Sequence, residues 1–251
     1  MKILLTNDDG INAPGIQTLC RELMEIGMVT VIAPDSEKSA TGQAITVHNP
    51  IRVDKHVIYG IDVEAWRVGG TPTDCVKLAL EAILTEKPDI VVSGINHGPN
   101  LGTDVLYSGT VSAAMEAALV DIPAVAISLD SWRVSDFAPA AKFARKFITV
   151  MAENTPIPYS VININIPDLP EEEIKAPLIT KLGVRNYENT FQKRVDPRGR
   201  TYYWMGGSIA GTENMPGTDI AAIKAGHISI TPVYFDMTHH TAIDILKKWT
   251  L

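Results

Sequence analysis

Short apolar runs alternate with stretches whose apolar residues recur at helical spacing, and this alternation constrains the fold more than any other feature of the chain. Residues 2–6 form an apolar run, and the segment 16–26 carries Ile16, Leu19, Leu23 and Ile26 on one helical face. A second run at 28–33 stops at Pro34 and Asp35, after which a loop rich in Ser, Thr and Gly extends to about Gln43. Residues 44–53 and 57–68 read as short extended pieces. GTPTDC at 70–75 opens a helix running to about 85, with Thr71 as N-cap, Pro72 in the first turn and Asp74 as a favourable charge. Ile90, Val91 and Val92 read as a buried parallel strand ending in the glycine-rich segment 93–102. A helix at 110–120, a strand at 125–128, a helix at 137–152 and a strand at 161–166 follow. The alternation predicts an α/β fold, doubly wound around a mostly parallel sheet.

Beyond 166 the texture changes. Pro167, Pro170, three consecutive glutamates and extended pieces around Tyr187, Tyr202, Tyr203 and Trp204 predict a hairpin-rich extension. A strand near 227–231 and a helix at about 241–249 end the chain. With 251 residues and 45% hydrophobic content, one core suffices, so a single domain is expected: a core of about 1–170 and a hairpin and tail extension over 171–251.

The 29 acidic and 22 basic residues give a net charge of -7, and no long Lys/Arg run occurs, so a nucleic-acid polymer is not an expected partner. The same charge repels a phosphate ester at long range, so a phosphate site here needs a local cation or oriented backbone N–H groups. No stretch reaches the ~18 apolar residues of a membrane span, and the N-terminal apolar run is too short for a signal peptide. Cys20 and Cys75 are too few for a disulfide framework, which fits a reducing cytoplasm.

In open α/β sheets ligands sit outside the carboxyl ends of the strands. Three polar clusters fall there: Asn7-Asp8-Asp9-Gly10, residues 36–42, and residues 93–102. Adjacent carboxylates face opposite sides of a regular strand, so Asp8 and Asp9 converge only if the chain turns, which Gly10 permits. Converged, they suit a hard divalent cation, and neutral oxygens from Ser39 and Asn96 would complete a shell that still accepts an anion. The same string reads equally as an Asx turn capping the next helix. Ser108, Gly109 and Thr110 stand at a helix start, an anion site by its free N–H groups and dipole, or simply an N-capped helix.

Gly94, Gly98 and Gly102 do not have dinucleotide-fingerprint spacing, and no phosphate-loop string ends in Gly-Lys-Ser/Thr. His239-His240 reads as a solvated turn, and His97, a neighbour of Asn96 in a loop, is not expected to be a catalytic base. The Tyr202 to Trp204 cluster reads as hairpin packing or an oligomer contact.

Taken together, TNDDG at 6–10, APDSEKSATG at 33–42, GTPTDC at 70–75, SGINHGPNLG at 93–102, YSGTVSAA at 107–114, DPRG at 196–199 followed by YYW, and GTDIAAIKAGHISITP at 217–232 resemble the stationary-phase survival protein SurE family. The resemblance spans nearly the whole chain. It implies a Rossmann-like three-layer αβα core and a metal-dependent 5'-nucleotidase of nucleoside monophosphates, with breadth toward 3'-nucleotides and short polyphosphate. The alternative is a nucleotide-binding sensor without turnover. By motif matching, Asp8, Asp9, Ser39 and Asn96 are the expected ligands of one divalent ion per subunit, Mg or Mn. Asp8 and Asp9 are also the expected catalytic groups, while Asn7, Asn100, Ser108, Gly109 and Thr110 surround the phosphate. Homodimers or homotetramers built through the C-terminal extension are implied as well. Two departures stand out: Gln43 replaces a His of many relatives, and Thr180-Lys181-Leu182 replaces a Thr-Arg-Gln string.

Overall fold

A computed structural model describes residues 1–133, 136–188, 190–210 and 215–249. Its centre is a nine-stranded sheet in the order β3-β4-β2-β1-β5-β6-β7-β13-β8. The inner strands β2 (Met28–Pro34), β1 (Lys2–Thr6), β5 (Ile90–His97), β6 (Ala124–Asp130) and β7 (Ser160–Pro167) run parallel. β4 (Glu64–Val68) extends the parallel set beside β2, and β3 (Val53–His56) adds an antiparallel edge. On the far side β13 (His227–Tyr234) runs antiparallel to β7 and carries β8 (Lys175–Ile179).

Both faces are covered, which is why the inner strands are apolar at consecutive positions. On one face Ile3, Leu5, Val92, Val125, Ile127, Ile162 and Ile164 pack under α1 (Pro14–Met24) and α4 (Ala138–Ala152). On the other, Leu4, Val91, Ala124, Ala126 and Val161 meet α2 (Pro72–Leu78) and α3 (Gly109–Ala118). The small residues Ala113, Ala114, Ala117 and Ala118 let α3 lie close on the sheet. These are the three layers and the mostly parallel sheet expected from the alternation of elements.

The extension holds two small antiparallel pairs. β10 (Phe191–Val195) pairs β11 (Thr201–Met205), and β9 (Asn186–Glu188) pairs β12 (Ser208–Ala210). α5 (Asp219–Lys224) precedes β13, and α6 (His240–Leu246) follows it. The hairpin texture is therefore present, but β8 joins the main sheet instead. Three other expectations shift. Residues 44–52 are not strand, the extended piece expected at 57–68 is strand only from Glu64 to Val68, and the strand expected at 90–92 runs on to His97, with a register shift against β6 between Ser93 and Asn96. Asn96 and His97 thus stand on a strand end rather than in a free loop. No helix among the described residues is long and apolar enough to cross a membrane.

A carboxylate pair at the carboxyl edge of the sheet

β1 stops at Thr6, and the chain turns at once: Asn7 Nδ2 donates to Gly10 O at 2.9 Å, and Gly10 takes φ +99°. The bend and the carboxylate cluster are the same object, but the bend is not the Asx cap that the string also allowed: Asn7 gives its amide nitrogen, and α1 starts after Ala13 with no side-chain cap. The turn is locked to the loop after β2 by Lys38 N donating to Asp8 O at 2.7 Å and Ile11 N to Pro34 O at 2.9 Å. A Cβ on Gly10 would stand 3.2 Å from the Ser36 carbonyl carbon, so glycine allows both the backbone angle and the close approach.

Asp8 is 4% exposed and abuts the start of α3. Thr110 Oγ1 donates to Asp8 Oδ1 at 2.6 Å, and a Cβ on Gly109 would lie 2.9 Å from Asp8 Oδ2. Burial pushes the Asp8 carboxyl up to about 7; the Thr110 bond opposes this and the Asp9 charge adds to it. Asp9, half-buried, accepts from His97 N at 3.0 Å through Oδ2. Burial raises it too, against the His97 N–H and with the added charge of Glu37.

Ser39 is exposed, and its hydroxyl donates to Glu37 Oε1 at 2.6 Å; the Glu37 charge acting on Asp9 puts this loop beside the pair. Asn96 Nδ2 donates to Gly98 O at 2.7 Å, which commits its amide nitrogen and makes Oδ1 the atom that can face a cation. Ser108 is the N-cap of α3, its Oγ accepting from Val111 N at 3.1 Å, so the bland reading of Ser108 is realised in full. Gly109 and Thr110 are the first two helical residues, so the start of α3, with its positive dipole end, abuts Asp8. Asn100 sits one layer behind: its Nδ2 donates to Ser128 Oγ at 2.8 Å and to Thr110 Oγ1 at 3.4 Å.

Three groups escape a reading of the sequence. Asn163 and Asn165 on β7 both donate to Asn100 O, at 2.9 and 3.0 Å, and Asn165 Oδ1 accepts from Asn100 N at 2.8 Å. Asp219, fully buried, accepts from Gly102 N at 2.7 Å and Gly183 N at 2.8 Å, pinning the extension to the loop that carries Asn100. The signal for the asparagines was the string VININIP: polar residues at period two in a strand apolar enough to be buried on both faces. The Thr71 to Asp74 cap is a full capping box, with Asp74 also holding Thr46 N and Oγ1 at 2.9 and 2.6 Å.

The donor set fits a hard divalent cation. Two crowded carboxylates, Asp8 buried and Asp9 half-buried, are each raised in pKa, and Asn7 Oδ1 is buried with no hydrogen-bond partner. Among the described residues no cluster of three or more His, Cys, Asp or Glu exists, so the set is two carboxylates plus neutral oxygens, unlike a zinc site. Grooves of about 440 Å³ exist between α4 and β8/β13 and at the opposite sheet end near Met28, but none of these residues lines them. A shallow oxygen-lined mouth is not an enclosed apolar cavity, so size does not point to it.

Residues 3–189 match the family model described as "Survival protein SurE". The chain belongs to the SurE family. It is 51% identical over 249 residues to the 5'-nucleotidase SurE of Heliobacterium modesticaldum, covering 99% of this chain and 92% of that one. It is 50% identical over 252 residues to the 5'-nucleotidase SurE of Geotalea daltonii, covering 100% of both. The crystal structure of the SurE protein from Aquifex aeolicus superposes with a TM-score of 0.86 at 38% identity over 98% of each chain. The SurE assignment made from the ordered motifs therefore holds, as does the α/β architecture it implied.

Proposed function

We propose that this chain is a divalent-metal-dependent phosphatase of nucleoside 5'-monophosphates, with reach toward 3'-nucleotides and short polyphosphate. The nucleotidase part follows from full-length relatives at about 50% identity that carry that name. The observation that supports the chemistry is Asp8 wedged between Asp9 and the start of α3, with Thr110 on one oxygen. Asp8, Asp9, Ser39 Oγ and Asn96 Oδ1 would hold one Mg or Mn ion per subunit. Bound there, such an ion supplies Lewis acidity, charge neutralisation and a more acidic water.

The protein's own groups do the rest. The N–H groups of Gly109 and Thr110 and the dipole of α3 receive phosphoryl oxygens, in a mouth whose low dielectric strengthens them. Ser108 shapes this helix start as its cap, and Asn7, fully buried, holds the bend under the pair through Gly10 O. Asn100 fixes the Thr110 hydroxyl from behind. Asp9, less buried than Asp8, accepts the proton of the attacking water. Proton transfer supplies roughly 10² to 10⁴ of the rate, whereas phosphate-monoester enzymes reach up to about 10²¹, so positioning and electrostatics carry most of it.

The exposed apolar residues Phe191, Tyr203, Trp204, Met205, Ile245 and Trp249 support a homodimer or homotetramer built through the extension. The buried free thiols Cys20 and Cys75 fit a reducing cytoplasm.

The test is phosphate release from a nucleoside monophosphate with Mg or Mn added. Activity is expected to vanish with chelator and return with metal, and Asp9→Asn is expected to abolish it while melting like the parent. Binding without release of phosphate under any metal would leave only a sensor, and wild-type activity in Asp9→Asn would move the site.

A further inference from the structure

Next to the carboxylate pair, one aromatic ring has no role in the chemistry described so far. β6 ends at Asp130, and Trp132 follows it, 75% exposed. Its six-membered ring lies on Gly98: a Cβ built there would stand 2.7 and 2.8 Å from two ring carbons. Gly98 is part of the site's own frame. Its carbonyl takes the Asn96 amide at 2.7 Å, and the preceding residue's N–H holds Asp9 at 3.0 Å. The loop after β6 is anchored to the same frame, because His97 Nε2 pairs with Arg133 O and the His97 ring meets Phe137 edge-on at 6.3 Å. The indole is therefore set against the β5 end that holds Asp9, with a large apolar surface left in water.

We propose that Trp132 is the platform on which the base of the nucleotide stacks, and so sets the preference for nucleotides over base-free phosphate esters. The inference rests on the nucleotidase reading of the mouth. With the phosphate at α3 and the β1/β5 ends, the nucleoside can extend toward the loop after β2 or across β5 toward β6. Residues 35–47 contain no Phe, Tyr or Trp and carry Asp35 and Glu37. The β6 side offers the indole. Every base has a π-face, so such a platform is tolerant of base identity and favours the larger purines.

The experiment compares kcat/KM for adenosine and cytidine 5'-monophosphates with that for ribose 5-phosphate. In Trp132→Ala the nucleotide-to-ribose-phosphate ratio is expected to fall about tenfold, within the ~1–3 kcal/mol that one base-aromatic stack contributes, chiefly through KM; Trp132→Phe should restore most of it. An equal fall for both esters overturns the proposal, since Trp132 would then only be propping Gly98 and Asn96. So does loss of the ratio in Tyr107→Ala instead, the exposed aromatic on the α3 rim. A nucleoside monophosphate is also expected to quench tryptophan fluorescence in the wild type and not in Trp132→Phe, which retains Trp66, Trp204 and Trp249. If the wild type releases phosphate from neither ester, the nucleotidase reading falls. The stack is then decided by the quench alone, and persistence of the quench in Trp132→Phe overturns it.

Discussion

Asp8→Asn should make the metal-free protein more stable while removing its activity, and the size of the gain follows from where Asp8 sits. The carboxyl rises from an ordinary 3.8 to about 7 because burial penalises its charge, with the Thr110 bond only partly compensating and Asp9 adding repulsion. A folded-state pKa above the unfolded one means that the folded chain binds the proton more tightly. The stability is then intact below about pH 4 and declines as pH rises toward 7, where the charged form must be buried. At about 1.36 kcal/mol per pH unit, a rise of about three corresponds to about 4 kcal/mol at pH 8. Asn at this position keeps an acceptor for Thr110 Oγ1 and carries no charge. The stability difference between variant and parent should be near zero at pH 4 and should open to about 4 kcal/mol by pH 8. Urea unfolding in chelator, at a series of pH values, reads it directly. Saturating Mn should close the gap by stabilising the parent alone, since a ligand of the folded state adds stability by mass action. Parallel pH profiles for parent and variant in chelator would refute the placement of Asp8 as a buried, repelled carboxylate.

Other consequences are local. Thr110→Val removes a 2.6 Å donor to Asp8; a hydrogen bond to a charged group is worth about 1.5–3 kcal/mol, so the half-activating Mn concentration should change and kcat should fall, as metal-dependent phosphate release would report. Gly109→Ala puts a Cβ 2.9 Å from Asp8 Cβ and Oδ2, and kcat should drop at least tenfold with little change in melting temperature. Asp219→Ala leaves the N–H groups of Gly102 and Gly183 without their acceptor; at about 1–3 kcal/mol per unpaired buried group, urea unfolding should show a loss of several kcal/mol. Burial alone would raise the Asp74 carboxyl, but hydrogen bonds from Thr46 and Thr71 outweigh it and hold it below 3.8. Its contribution is present above the unfolded pKa and lost as pH falls, so Asp74→Asn should destabilise the chain at pH 7 and the deficit should shrink below about pH 4, again by urea unfolding.

The inner strands were legible because apolar residues dominate each of them, as in Ile3 to Leu5, Val31 to Ala33 and Ile90 to Val92, with turn residues at their ends; Thr71, Pro72 and Asp74 form the cap that their order predicted. Residues 44–52 were not, because apolar residues such as Ile45 and Val47 suggested extended pairing where the segment is instead held by Asp74 at Thr46. At the site, composition alone left Asn7 to Gly10 undecided between a turn and a metal centre. In the structure a bend held by Asn7 and Gly10, without the Asx cap, sets Asp9 close enough for its charge to raise the Asp8 carboxyl. At the start of α3 the serine caps the helix while Thr110, its second residue, bonds Asp8 through its hydroxyl.

What no single-sequence pattern could supply is the layer behind the mouth. Asn163 and Asn165 reach Asn100 across 63 and 65 positions of sequence, and Asp219 reaches Gly102 across 117. Local spacing carries no information about such pairings, because they form between segments that only the folded sheet brings together. Yet the physical pressure is visible in retrospect. A strand flanked by β6 and β13 and covered on both faces tolerates two asparagines only if their amides are engaged, and loop 98–102 is the backbone within reach that needs partners. Burying polar groups under a phosphate mouth is costly unless they are nearly all satisfied. The amide groups of Asn165 and Asn100 are bound on both sides of the contact, whereas Asn163 Oδ1 is not. The rigidity of Thr110, and through it the position of Asp8, is therefore a property of β7 as much as of the motif around residues 6–10.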